Sequence, residues 1–186
     1  MASDFSTAIQ PPPGPGVELV LPNQAATNPQ IFNDALIVRV RVFVDEQNCT
    51  AEAEIDSDDA RSWHFVIHNK STRAPAAVIR LVPFPHPPHE LLTHPDTMTL
   101  SYDWTHEPCI KLTRVAVMPE YRGLGLGRRL VEIALTWAQE HAAEIDQAAT
   151  QWASELNWTD PVSSWKGLVL IHAQVEVEKM YERLGM

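Results

Sequence analysis

Residues 111–129, Lys-Leu-Thr-Arg-Val-Ala-Val-Met-Pro-Glu-Tyr-Arg-Gly-Leu-Gly-Leu-Gly-Arg-Arg, decide the fold of this 186-residue chain. A short apolar strand runs to Val117 and into a turn that carries Arg122, Gly123, Gly125 and Gly127. A long amphipathic helix begins at about Leu126. That order makes an anion site out of main chain. Positions without a side chain let several N–H groups converge on one guest. The first turn of the helix adds unpaired donors and a partial positive charge. A pyrophosphate fits such a site.

Two better-known glycine motifs fail here. A P-loop needs Lys followed by Ser or Thr after its last glycine, and Gly127 is followed by Arg128 and Arg129. A dinucleotide fingerprint needs a third glycine three residues after the second. Counted from Gly123 and Gly125, that position is Arg128. What remains is Arg-x-x-Gly-x-Gly, at Arg122, Gly125 and Gly127. A glycine-rich turn that binds nothing predicts no further pattern in the chain, yet two more blocks occur. Residues 38–47, Val-Arg-Val-Arg-Val-Phe-Val-Asp-Glu-Gln, lead to residues 52–56, Glu-Ala-Glu-Ile-Asp. Ala173 and Gln174 are followed by residues 181–185, Tyr-Glu-Arg-Leu-Gly.

These three blocks, in this order, resemble the GNAT superfamily of acyl-CoA N-acyltransferases, and they span most of residues 30–186. The resemblance implies acetyl-CoA as co-substrate and direct acetyl transfer to a primary amine in a ternary complex. A small amine, an amino sugar or a polyamine comes first as acceptor. A protein lysine or N-terminus is the enzyme alternative, and a non-catalytic CoA-binding module is the rival from another class. Backbone N–H groups from Gly123 through Leu124, Gly125, Leu126 and Gly127 to Arg128 are expected to hold the CoA phosphates, with Arg122, Arg128 and Arg129 as charge support. Val115, Ala116 and Val117 are expected to meet the amide-bearing CoA arm as an added strand would. The resemblance also implies a bulge near Val115 that frees one N–H for the thioester carbonyl. It implies Tyr181 as general acid. Glu46 and Glu54, with Asp56, match acidic positions and are candidates for the base; the central strand offers Thr113 where relatives often carry a glutamate. His172 is a further candidate.

Composition narrows the partners. Net charge is −10, from 14 basic and 24 acidic side chains, which argues against a nucleic-acid surface. No apolar run is long enough to span a bilayer. Cys49 and Cys109 stand apart without a motif, so reduced thiols and a cytoplasmic or nuclear setting are expected. His86, His89 and His94 lie among prolines without ligand spacing, and no metal is expected. A homodimer is left open.

Along the chain, residues 1–16 read as a disordered proline-rich lead and 17–186 as one domain. Val17–Leu21 reads as the first strand. Asn28 and Pro29 read as cap and first position of a helix running to about Gln47, with Ile31, Ala35, Val38, Val42 and Phe43 inward. Asp58 and Asp59 read as part of a solvated charge run. His64–His68, Ala76–Val82, Ile110–Val117 and Leu168–Ala173 read as strands, and Val175–Leu184 as the last helix. Insertions are expected near 83–108 and 143–166. Alternating strands and helices predict an α/β or α+β fold with helices on both faces of a sheet. The resemblance makes that sheet mixed, mostly antiparallel, and splayed open where the CoA arm lies. The family fold continues into further strands after the last helix, whereas the sequence ends at Met186. A C-terminal strand is therefore expected to be missing, through clipping, a partner chain's contribution, or a bare edge.

Overall fold

Near-continuous apolar runs, such as residues 76–82, suit a sheet buried on both faces. The computed structural model describes residues 4–14, 16–21, 28–87 and 102–171. Its five strands lie side by side in chain order: β1 (Phe5–Gln10), β2 (Trp63–Asn69), β3 (Pro75–Val82), β4 (Cys109–Val117) and β5 (Leu168–Ile171). The first three pairings are antiparallel, and β4 with β5 is parallel. The sheet is thus mixed and mostly antiparallel, as expected.

Phe65, Ile67, Ile79, Leu81, Ile110 and Leu112 point to one face. There they pack on Leu126, Leu130, Ala134 and Ala138 of a helix over Leu126–Glu140. That helix is α2 here, because α1 (Gln30–Arg39) precedes it; α3 (Ala142–Glu155) follows and adds Ile145 to the same core. Each fully buried side chain of this size contributes about 1.5–3 kcal/mol. Val66, Val78 and Ala116 point to the other face, under Ala35, Val38 and Val42.

Two expectations fail at the N-terminal end. The first strand is Phe5–Gln10, inside the stretch read as a disordered lead, and residues 17–21 form no strand. Phe5, Thr7 and Ile9 alternate along an edge that β2 leaves open, from Phe5 opposite Asn69 to Gln10 opposite His64. Pro11–Pro13 then end the ladder, since they have no N–H to donate. Asn28 does not cap α1. Its side chain instead holds residue 20, accepting from the Val20 N–H (3.0 Å) and donating to the Val20 C=O (2.6 Å), while Pro29 occupies the capping position.

Beyond Arg39, α1 widens into a π-helical stretch, Val40–Glu46, so the helical span matches its expected length. The inward stripe carries Phe32, Ala35, Leu36, Val38 and Val42, and also Arg39. The insertions pack on each other. Trp104 stacks on Trp158 (5.2 Å, 15°), and Tyr102 meets Trp152 edge-on (6.0 Å). The Arg61 guanidinium lies over the Tyr102 and Trp152 rings and donates to the carbonyls of Pro83 (2.8 Å) and Pro85 (2.7 Å). Residues 172–186, with the expected last helix, lie outside the described residues.

Candidate active site

The bend after β4 is built by its backbone. A short turn, Pro119–Tyr121, leads to Arg122, and Gly123 and Gly125 follow at φ of 77° and 75°, a left-handed conformation that glycine adopts without a Cβ penalty. The first i→i−4 hydrogen bond of α2 runs from the Arg129 N–H to the Gly125 C=O (3.1 Å). The N–H groups of Leu126, Gly127 and Arg128 therefore precede the helical ladder and have no acceptor within it. A helix start normally attracts acidic side chains. This one has none in its first turn and carries Arg128 and Arg129 instead. The positive end of α2 is thus left without an acidic residue, at the point where an anion would be received.

Arg122 is held at two points. Its Nε donates to the Val117 C=O (3.1 Å) and its Nη2 to Glu46 Oε2 (2.7 Å). Arg128 pairs with Glu132 on the exposed surface (2.7 Å), a pairing worth little in water. Val115 and Val117 are half-buried against the α2 side, whereas Ala116 is buried toward α1.

β4 bulges where a bulge was expected. Val78 pairs with Ala116 and Arg80 with Thr113, so β4 spends one more residue than β3 over that interval. Arg114 takes up the irregularity at φ 54°. Its guanidinium Nη2 donates to the Ala53 C=O (2.8 Å) and to Asp56 Oδ2 (3.3 Å), and its Nε lies 3.7 Å from Glu54.

Arg114 is the outer member of a buried charge network. Arg39 Nη1 and Nη2 donate to the two carboxylate oxygens of Asp59 (2.8 and 3.3 Å), and its Nε to Glu54 (3.2 Å). Arg80 donates to Asp56 (2.6 and 3.0 Å), to Asp59 (2.9 Å) and to Thr113 Oγ1 (2.9 Å). Asp59 is fully buried, which overturns its reading as a solvated charge. The mistake has a physical cause: its partners are 20 and 21 residues away in sequence. Asp58 is partly buried and pairs with Arg61 (2.7 Å). Burial by itself raises the Asp59 carboxyl. The Arg39 and Arg80 guanidiniums reverse this and hold it well below the usual carboxylate range. His64, fully buried beside Asp59, is lowered to about 4 by burial and by both arginines, against the pull of Asp59.

Glu46 and Glu54 do not share one site. Glu54 is buried in the network, bonded to Arg39. Glu46 stands at the end of the π-helical stretch beside Arg122, and its Oε1 has no hydrogen-bond partner among the described residues. Tyr181 and His172 lie outside the described residues, as do His89 and His94. His86 sets Nε2 against the Cys109 C=O (3.0 Å), and no group of three metal-ligating side chains occurs among the described residues. Among those residues no helix is long and apolar enough to cross a membrane. Sequence reasoning passed over Arg39, Arg80 and Arg114. A charged residue inside the inward stripe of α1, and another in the middle of the apolar run of β3, were the available signals.

A bulged strand feeding a glycine bend and an unneutralised helix start defines the acyl-CoA-binding class of transferase folds. Residues 34–154 match the model of the acetyltransferase (GNAT) family. The chain belongs to that family, whose members use acetyl-CoA. Solved structures agree on the fold. Escherichia coli ElaA superposes with a TM-score of 0.54 at 18% identity, covering 97% of this chain and 85% of ElaA. An acyl-CoA N-acyltransferase from Pseudomonas aeruginosa gives 0.51 at 20% identity, covering 97% of this chain and 87% of that one.

Proposed function

We propose that the protein transfers an acetyl group from acetyl-CoA directly to a primary amine, with the donor diphosphate on the Gly123–Arg128 bend. One observation carries this reading: the left-handed glycine bend opens onto a helix start with no acidic residue in its first turn, one turn beyond a bulged strand. The N–H groups of the bend hold the diphosphate. Arg122, fixed by Val117 and Glu46, keeps Nη1 for a phosphate oxygen. The CoA arm runs back along Val115, Ala116 and Val117, and the bulge aims an N–H at the thioester oxygen.

The amine must be neutral to react. Its lone pair forms the C–N bond, the C–S bond breaks with its electron pair on sulfur, and the thiolate takes a proton from Tyr181. Of the two carboxylates proposed to receive the amine proton, Glu46 keeps Oε1 unengaged among the described residues but stands beside Arg122, and Glu54 is committed to Arg39, so the proton reaches either one through water.

Free-thiol release from acetyl-CoA, followed across a panel of amines, tests the reading. At least one amine is expected to raise release well above background. Tyr181→Phe is expected to lower turnover by about 10²–10⁴-fold, the usual worth of a positioned proton donor, with CoA affinity unchanged. A flat panel with tight CoA binding would mean a binding module instead. Loss of CoA affinity in the Tyr181 variant would mark a packing role.

A further inference from the structure

We propose that Lys111 reads an anionic group on the acceptor, so that the substrate is an amine that also carries a carboxylate or a phosphate. The inference rests on the transferase reading and deepens it.

If the diphosphate sits at the bend and the arm follows the last residues of β4, the thioester lies near the bulge. The acceptor then comes along the first half of β4. On one face of that half Ile110 and Leu112 are packed into the hydrophobic core under α2. The other face presents Cys109, Lys111 and Thr113. Lys111 stands opposite Val82, two residues before Thr113 and so roughly 7 Å along the strand from it.

Lys111 is 7% exposed and has no hydrogen-bond or ion-pair partner among the described residues. Buried ammonium groups are expensive unless matched. Burial accordingly lowers its pKa, and Arg61 and Arg80 lower it further against the pull of Asp58. Among the described residues, the carboxylates of the adjoining charge network are already engaged. Glu54, Asp56, Asp58 and Asp59 are all engaged by arginines: Asp58 by Arg61, the others by Arg39, Arg80 and Arg114. Among the described residues of this network five cations therefore meet four carboxylates, and the charge without an ion-pair partner there is on Lys111. The excess is positive although the whole chain carries −10. A polyamine would need a free carboxylate here, whereas an acceptor bearing its own anion completes the count.

The test uses the full chain saturated with CoA. 4-Aminobutanoate, O-phosphoethanolamine, butylamine and spermidine are titrated calorimetrically into wild type, Lys111→Met and Lys111→Arg, and KM is measured with acetyl-CoA for each. Wild type should bind at least one anionic amine about tenfold or more tighter than butylamine, the scale of one charge-assisted hydrogen bond. The Met variant should lose that preference while keeping its butylamine and CoA affinities, and the Arg variant should retain most of it. The two anionic probes separate carboxylate from phosphate. A wild type that favours butylamine or spermidine overturns the proposal, as does a Met variant that keeps the preference. If the preference is seen while no amine accelerates thiol release, the transferase reading fails and the anion site stands.

Discussion

Arg114 combines two effects that oppose each other. A left-handed backbone costs an L residue about 1–2 kcal/mol, while its guanidinium gains bonds to the Ala53 C=O and Asp56. Substitution separates them. Arg114→Ala loses the tether and keeps the strain; Arg114→Gly loses the tether and the strain together. The glycine variant should therefore unfold in urea with a free energy about 1 kcal/mol above that of the alanine variant. Equal stabilities would mean that the strand relaxes out of the bulge once the tether is gone. Nothing in Thr113-Arg114-Val115 marks the irregularity, because a bulge of this hand usually declares itself with glycine. Its location came from the family likeness alone.

The network joining α1 to β3 and β4 predicts a large effect from one residue. Asp59→Ala leaves two buried guanidiniums short of a partner and should destabilise the protein by about 3–5 kcal/mol in denaturant unfolding. A loss below about 1 kcal/mol would show that Arg39 and Arg80 find other acceptors or water. This network was the least legible part of the sequence. β3, β4 and α2 were legible because period-two and period-3.6 patterns are local, and the glycine bend because its whole mechanism sits within a few residues. Asp59 reads in sequence as one more acid in a charge run, since burial is conferred by arginines that only the fold brings near. β1 was missed for a related reason. Its six residues match a strand no better than residues 17–21 do, and the open edge of β2 decides between them. The glycine bend was thus readable, and the buried charge network was not.

The pH dependence of the whole molecule follows from His64. Folded, it stays neutral until about pH 4; unfolded, it takes a proton below its ordinary 6.5. Protons then favour the unfolded chain, so the stabilisation is full above pH 6.5 and is lost as pH falls toward 4, by about 3 kcal/mol. Asp59 stays ionised in the folded protein, so it adds its own smaller loss only near pH 4 and below, where the unfolded carboxyl begins to take a proton. Urea unfolding at pH 7, 5.5 and 4 should show the decline, and His64→Gln should flatten it; an unchanged slope in that variant would assign the effect elsewhere. A different consequence comes from the clamp of Arg61 on Tyr102 and Trp152. The guanidinium is shared by both insertions, so removing either one would strip it of one of its two rings. The two segments therefore pack as a single unit, and shortening either one unseats the other.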